Sequence, residues 1–237
     1  MIDKELLRDL ADSNDIPLDD VALDRFDKYA ELLVEWNEKI NLTAITEPTE
    51  IVYKHFLDCL LLLTCTDFEE GASVIDVGTG AGFPGLVLLI ARPDLKMTLM
   101  DGTLKRLNVI QDILDKLDLK ANVVHARAEE AGRNKKYREK FDFATARGVC
   151  NLRDLSELCL PFVNVGGMFI AMKGANVKNE IQEGENAVEK MGGSILELIE
   201  YELYDYGERS VLLIGKEEET PSAYPRTMGQ IKKKPLK

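Results

Sequence analysis

The sequence predicts an α/β fold: a mostly parallel sheet of seven strands with one antiparallel edge strand, preceded by an N-terminal helical extension. A strand, a glycine-rich loop and an apolar helix follow one another within residues 74–91, as in the first half of a nucleotide-type βαβ unit. Strand patterns then alternate with helical patterns, which indicates a parallel sheet. The last two strand patterns have no helix between them, so they predict a hairpin and an antiparallel edge. The strand patterns after the glycine loop lie at residues 96–101, 122–127, 141–146, 167–173, 194–203 and 210–216.

The composition fits one α/β core with an extension. The chain has 237 residues, of which 45% are hydrophobic, and a net charge of −12. We divide it into a helical extension (1–66), an α/β domain (67–218) and a basic tail (219–237). No apolar run approaches the length of a membrane span, and the first residues show no signal-peptide pattern. We therefore expect a soluble, cytoplasmic protein with reduced cysteines and no metal site, and we expect a monomer because no exposed apolar stripe stands out.

The extension is predicted to be helical. Apolar residues recur at helical spacing from Phe26 to Ile40, with Asp19 or Asp20 as the N-cap. A second helix begins near Pro48 and carries His55 and Asp58 on one face, three positions apart. From the residues alone, an ordinary hydrogen-bonded pair is a better interpretation of these two side chains than a ligand site.

The glycine-rich loop has two interpretations. Residues 80–85 fit the dinucleotide fingerprint G-x-G-x-x-G, and Asp101 follows near the spacing of a ribose-binding acid, which would indicate an NAD-dependent oxidoreductase. Asp76, just before the loop, is unfavourable beside a pyrophosphate but suits a ligand that carries an ammonium group and a sulfonium. We therefore favour S-adenosylmethionine over NAD, with Gly78 and Gly80 turning the backbone beneath the ligand.

Other candidate site residues lie where strands end. Asp101 is placed to accept hydrogen bonds from ribose hydroxyls, and the backbone of Ala128 and Glu129 can read an adenine edge. Arg147 ends a central strand, where an unpaired charge is costly, so it is predicted to hold a carboxylate or to orient an acceptor. Lys173 ends the next strand and has the same two interpretations.

A series of motifs supports a more specific assignment. In order along nearly the whole chain they are Asn41-Leu42-Thr43, His55-Phe56-Leu57-Asp58, Asp76-Val77-Gly78-Thr79-Gly80-Ala81-Gly82-Phe83-Pro84-Gly85, Arg127-Ala128-Glu129, Ala146-Arg147 and Met172-Lys173-Gly174. Together they resemble the ribosomal RNA small-subunit methyltransferase G family, also called glucose-inhibited division protein B. The resemblance implies a Rossmann-like class I S-adenosylmethionine-dependent methyltransferase that methylates N7 of a guanine in bacterial 16S ribosomal RNA. Its partner would be that RNA or the small ribosomal subunit, and a methyltransferase acting on another RNA stays as an alternative.

The resemblance also implies which residues contact the donor. These residues are Gly78, Phe83, Ala128, Glu129 and Arg147, to which we add Gly80 and Asp101 from the loop and strand pattern. Two positions close to predicted site residues depart from the family pattern. Gly102 follows Asp101 where a serine is usual, and Cys150 follows shortly after Arg147, with no role assigned to it.

The acceptor side is predicted from the chemistry of guanine. N7 carries a lone pair and no proton, so its methylation needs positioning rather than a general base. We expect Arg147, Lys173 and His55 to position the acceptor base, and Arg209 to lie at the rim.

The basic tail is a candidate RNA-binding arm, because phosphate contacts need lysine and arginine. We expect deletion of residues 223–237 to abolish RNA methylation but to leave donor binding intact. The predicted RNA-binding residues of the tail are Arg226, Lys232, Lys233 and Lys234.

Overall fold

The computed structural model describes residues 1–236 and contains one seven-stranded sheet of order β3-β2-β1-β4-β5-β7-β6. All neighbouring strands are parallel except β7, which is antiparallel to both β5 and β6. The predicted fold class is therefore confirmed, with β7 and the outermost strand β6 forming the antiparallel edge. The strands are β1 (Ser73–Val77), β2 (Lys96–Asp101), β3 (Asn122–His125), β4 (Phe141–Arg147), β5 (Val163–Gly174), β6 (Gly193–Glu202) and β7 (Glu208–Lys216).

The helices begin at residues that suit helix starts. The Asp19 carboxylate caps α2 by accepting a hydrogen bond from the Ala22 amide at 2.7 Å. Glu47 caps α3, and Pro48 occupies its first turn. The helices are α1 (Lys4–Asp12), α2 (Asp20–Asn37), α3 (Pro48–Ile51), α4 (Asp58–Leu60), α5 (Leu62–Cys65), α6 (Gly85–Ala91), α7 (Leu104–Lys116), α8 (Ala128–Ala131), α9 (Leu152–Cys159), α10 (Val177–Lys190) and α11 (Met228–Lys233). A π-helical stretch, Val52–Leu57, joins α3 to α4, and short 3₁₀ turns occupy Leu160–Phe162 and Tyr204–Tyr206.

Apolar cores lie on both faces of the sheet. On one face α1 and α2 share a continuous core with α6 and α7, in which Phe26, Tyr29 and Leu33 are fully buried. On the other face α9 and α10 pack with residues from the end of the chain, including Ile231 and Leu236. Among the described residues, no helix combines the length and the apolar character that a membrane span requires.

The segment that follows β7 lies against the second core. We call residues 217–236 the C-terminal strap. Its residues Pro225, Ile231 and Leu236 are buried, whereas Lys232, Lys233 and Lys234 are exposed. The expected basic tail therefore has an apolar side that packs on the domain and a basic side that faces solvent.

Candidate functional site

Two cavities lie at the carboxyl ends of the parallel strands. The smaller, of about 250 Å³, contains four of the predicted donor-binding residues in its wall, namely Gly78, Asp101, Ala128 and Glu129. The larger, of about 510 Å³, contains the predicted positioning residues His55, Arg147 and Lys173 together with Arg209. Gly148 and Val149 line both cavities. Topology has therefore brought a donor-type site and a basic site side by side, as the ends of adjacent parallel strands allow.

Asp101 shapes the wall of the smaller cavity at the end of β2. One carboxylate oxygen accepts a hydrogen bond from the Gly80 amide at 3.1 Å, and the other accepts from the Thr103 amide at 2.7 Å. Gly80 is absent from the cavity wall and instead fixes Asp101. Each carboxylate oxygen has a further lone pair, so Asp101 can also accept hydrogen bonds from hydroxyl groups of a ligand.

The smaller cavity has the features of an adenosine site. The Oε2 atom of Glu129 is buried and has no hydrogen-bond partner, although buried carboxylate oxygens normally have one. A ligand N–H or O–H would supply it. Gly78 has a φ of +75°, and a Cβ there would lie 2.9 Å from the Val149 side chain. These residues fit the adenosine portion of S-adenosylmethionine.

Asp76, which its position before the loop suggested as suited to a ligand with an ammonium group and a sulfonium, lines neither of the two cavities. Its side chain is completely buried, accepts a hydrogen bond from the Gly85 amide at 3.0 Å and contacts the Thr145 hydroxyl at 3.2 Å. Burial raises the pKa of this carboxyl to about 6. Asp76 therefore links the start of α6, through the Gly85 amide, to β4, through the Thr145 hydroxyl.

Arg147 is the centre of the polar network in the larger cavity. Its Nη1 donates to the Lys54 carbonyl at 3.0 Å and to Asp58 Oδ2 at 3.2 Å, while Nη2 lies 3.1 Å from His55 Nδ1. The other Asp58 oxygen accepts from the Tyr201 hydroxyl at 3.0 Å. The guanidinium is thus held by three groups of one helical segment, which is the pairing that a cation at the end of a central strand requires.

His55 is an uncharged support for Arg147. Its Nε2 lies 2.9 Å from the Thr43 hydroxyl, so both ring nitrogens have partners. Burial and the nearby Arg147 charge lower the pKa of the imidazole to about 3. The ring stacks on Phe83 with centroids 4.2 Å apart, and the central carbon of the Arg147 guanidinium lies 4.7 Å from the centroid of the same Phe83 ring. Phe83, a predicted donor contact, lines neither cavity and instead contacts these two side chains.

The remaining cations of the larger cavity are partly neutralised. Lys173 donates to the Cys150 carbonyl and to Glu180, each at 2.7 Å. Arg209 lies 3.9 Å from Asp58. The wall also includes Lys54, so the basic side chains in it outnumber the carboxylates of Asp58 and Glu180. Such a surface suits a polyanion.

Cys150 also lines the larger cavity. Burial raises the pKa of its thiol to about 12, so the reactive thiolate is scarce near neutral pH. Among the described residues, no group of three or more potential metal ligands lies close together. Nothing in this chemistry calls for a covalent intermediate.

Several residues that support the site were not predicted. Tyr29, interpreted as core packing, donates its hydroxyl to the Ala81 carbonyl in the glycine loop at 2.6 Å. Tyr201 reaches Asp58 from the antiparallel hairpin. Thr43 belongs to a motif noted in the sequence, and its amide is held by Asn37. Spacing along the chain could not have predicted the contacts of Tyr29 and Tyr201, because each joins elements that are far apart in the sequence.

Arg226, a predicted RNA-binding residue, has an internal partner. Its guanidinium forms a two-point pair with Glu157, with Nε–Oε1 at 2.9 Å and Nη2–Oε2 at 2.7 Å. The Glu157 side chain is 1% exposed. The geometry therefore gives Arg226 a structural role, while the exposed Lys232, Lys233 and Lys234 remain available to a partner.

Comparison with known proteins identifies relatives over nearly the full chain. The family model described as rRNA small subunit methyltransferase G matches residues 22–202. The chain is 43% identical over 235 residues to the ribosomal RNA small subunit methyltransferase G of Clostridium perfringens, with 98% of each chain covered. It is 44% identical over 239 residues to the protein of the same name from Alkaliphilus metalliredigens, with 100% of each chain covered.

Solved structures show the same fold at low sequence identity. Precorrin-6y C5,15-methyltransferase from Geobacter metallireducens matches with a TM-score of 0.50 and 13% identity, over 67% of this chain and 87% of that chain. TrmN from Thermus thermophilus matches with a TM-score of 0.51 and 17% identity, over 70% of this chain and 53% of that chain.

Proposed function

Because the chain belongs to the rRNA small subunit methyltransferase G family, we propose that it transfers a methyl group from S-adenosylmethionine to N7 of a guanine in 16S ribosomal RNA. One observation carries the proposal for this chain. An adenosine-type cavity and a basic cavity meet at Gly148 and Val149, so a donor and an acceptor bound in them would be adjacent. The family assignment favours this activity over the NAD-dependent oxidoreductase.

The donor side of the proposal uses the smaller cavity. The bound donor would supply a methyl group on a positively charged sulfur. Asp101 would accept hydrogen bonds from the ribose hydroxyls, while Glu129 and the backbone at Ala128 would bind the adenine edge. Gly78 would let the chain pass close beneath the ligand. Gly80 and Phe83 would act indirectly, through Asp101 and through the ring stack with His55.

The acceptor side uses the larger cavity. Guanine presents N7 and O6 as adjacent acceptors, and arginine or lysine side chains are their usual partners. Lys173, Lys54 and Arg209 line this cavity and would bind the base or its phosphates. Arg147 is already bonded to Asp58 and to the Lys54 carbonyl. It would hold the wall of the cavity in place and offset the negative charge of the RNA.

The proposed reaction needs no proton acceptor. The bound donor would supply the methyl group, which would pass from sulfur to guanine N7: the lone pair of N7 would form the new bond, the carbon–sulfur bond would break, and the positive charge would pass from sulfur to the base. His55 has a pKa of about 3 and both of its nitrogens engaged, so it is neutral and fixed near neutral pH. We therefore attribute the acceleration of methyl transfer to the alignment of donor and acceptor and to the electrostatic field of the charged groups around them.

The substrate is proposed to be structured RNA with an exposed base. The deep groove of A-form RNA hides N7, so the target guanine would lie in a loop or a distorted helix of the RNA or of the small subunit. We further propose that the protein acts as a monomer in the cytoplasm, where small subunits are assembled. Light scattering of the purified protein would measure the oligomeric state.

The deciding experiment is methyl transfer from labelled S-adenosylmethionine to unmodified 16S RNA and to small subunits, with the product located by mass mapping. We expect 7-methylguanosine at one site. Label in another nucleotide, or in another RNA only, would contradict the proposed acceptor. Donor binding in calorimetry without any RNA labelling would contradict the activity while leaving the donor site in place.

A further inference from the structure

We propose that the C-terminal strap completes the donor cavity and that Met228 is a donor-binding residue; this rests on the donor cavity assigned above. Met228 lines the smaller cavity together with Asp101, Ala128 and Glu129. The other lining residues belong to strand ends or to the segments that follow them, from Val77 to Leu158. Met228 instead comes from the segment beyond β7, outside the residues that the family model matches.

Arginines that follow α8 fix the strap beside the cavity. Arg133 donates to the Pro225 carbonyl at 2.6 Å and to the Ala223 carbonyl at 2.7 Å. Arg138 donates to the Tyr224 carbonyl at 2.9 Å. Because α8 carries Ala128 and Glu129 at its start, the strap is bonded to the same stretch of chain that forms the adenine side of the cavity.

Close packing and a buried ion pair fix the strap further. A Cβ at Gly132 would lie 3.0 Å from the Pro225 ring, so the strap passes almost in contact with the end of α8. The two-point pair of Arg226 with the buried Glu157 ties the strap to α9. Ile231, 1% exposed, fills the second core.

The direction of Met228 is set by the start of α11. Gln230 Oε1 accepts hydrogen bonds from the Thr227 amide at 3.1 Å and from the Thr227 hydroxyl at 3.0 Å, and the Gln230 amide donates to the Thr227 carbonyl at 2.9 Å. Met228 is therefore the first residue of a fixed helical turn. Its half-buried side chain packs against the second core and reaches the cavity wall.

The chemistry of a thioether suits this place. Methionine is flexible and polarisable, and its sulfur makes favourable contacts with aromatic rings. Glu129 and the Ala128 backbone can bind the polar edge of adenine, but they supply no apolar surface for its face. Met228 and Leu158 supply that surface, so the strap contributes affinity for the donor rather than only for RNA.

The test measures binding of S-adenosylhomocysteine by calorimetry to the full-length wild-type protein and to Met228→Ala. We expect affinity to fall roughly tenfold, because apolar and sulfur contacts with the ring are lost. Met228→Leu should restore most of it. Met168→Ala is the matched control, since Met168 is half-buried and lines a cavity at the opposite end of the sheet.

The outcomes separate this inference from the proposed function. Wild-type affinity in Met228→Ala would overturn the role of the strap, whereas no binding by the wild type would overturn the donor cavity itself. Should Met228→Ala fail to fold, as judged by its thermal midpoint without ligand, Met228→Gln keeps the side-chain length and replaces the apolar contact. It should also weaken binding, and unchanged affinity in a folded Met228→Gln would overturn the inference.

Discussion

At the residue scale, the site depends on charged groups whose partners are already in place. Arg147 is bonded to the Lys54 carbonyl and to Asp58, and His55 lies against its second nitrogen. A planar fork with several donors can satisfy all of these partners at once, whereas an ammonium is a single point of charge. Arginine and lysine are therefore not equivalent at this position.

We expect Arg147→Lys to lower kcat/KM for RNA methylation by about a hundredfold, because a small misplacement of an aligned site is costly. Single-turnover methylation with labelled donor measures this effect. Arg92→Lys is the control, since Arg92 makes a two-point pair with Asp94 away from both cavities. Equal activity of Arg147→Lys and the wild type would contradict the role assigned to the guanidinium.

His55 should make stability depend on pH. Its pKa of about 3 lies below the reference value of 6.5. Between these values the unfolded chain binds a proton that the folded chain does not, so the free energy of unfolding falls as the pH decreases through this range. Asp76, whose pKa is raised from 3.8 to about 6, acts with the opposite sign in its own range.

Urea unfolding at pH 7 and pH 4.5 tests this prediction. We expect the loss of unfolding free energy on acidification to be smaller in His55→Gln than in the wild type, because the titrating group is absent while Asp76 is unchanged. His125→Gln is the control, since His125 is an exposed histidine on β3. The same pH dependence in His55→Gln and the wild type would refute the assignment.

At the element scale, α11 has an apolar side and a basic side. Ile231 is buried in the second core, while Lys232, Lys233 and Lys234 face solvent. The basic side can contact phosphates without any change in the packing of the apolar side. The body of the protein is acidic, so this small patch would have a large share in RNA binding.

Replacing Lys232, Lys233 and Lys234, the three exposed lysines at the end of α11 and just after it, by alanine should raise KM for RNA and reduce the salt dependence of KM. Each lost phosphate contact lowers the log–log salt slope by about 0.7 to 0.9. Methylation rates across a salt series measure the slope. Alanine at Lys4, Lys28 and Lys39, which are exposed on the N-terminal helices and their exit, is the matched control. A slope equal to that of the wild type would exclude contact of α11 with RNA.

At the scale of the whole molecule, the two ends of the chain hold the site from opposite faces of the sheet. On one face Tyr29 of the extension bonds the glycine loop. On the other, the strap is tied to Glu157 through Arg226. Deleting residues 223–237 would therefore remove Met228 and expose the second core, so we now expect that deletion to weaken donor binding as well as RNA methylation.

The ion pair of the strap gives a stability test. Arg226→Ala leaves the Glu157 carboxylate buried without its partner, and removal of one member of a buried pair costs about 3 kcal/mol. Urea unfolding should show this loss. Arg8→Ala, which breaks an exposed and solvent-screened pair with Asp20, should cost much less. A loss in Arg226→Ala no larger than in Arg8→Ala would show that the pair does not anchor the strap.

The part of the site that could be predicted from the sequence is the part that lies at the ends of parallel strands. Parallel strands end at the same edge of a sheet, so Gly78, Asp101 and Arg147 could be placed near one another from strand patterns alone. The burial of Asp76 could not be predicted, because the pattern shows that a carboxylate precedes the loop but not the direction of its side chain. Tyr201 and Met228 reach the cavities through tertiary packing, and no local periodicity reports such contacts.

Gly148 and Val149 form part of both cavities, so a ligand in one cavity can influence the other through this shared wall. If the donor shifts this wall, it changes the affinity of the neighbouring cavity for RNA. Thermodynamic reciprocity then requires RNA to change the affinity for the donor by the same factor. Release of S-adenosylhomocysteine and release of the methylated RNA would then be coupled events rather than two independent dissociations.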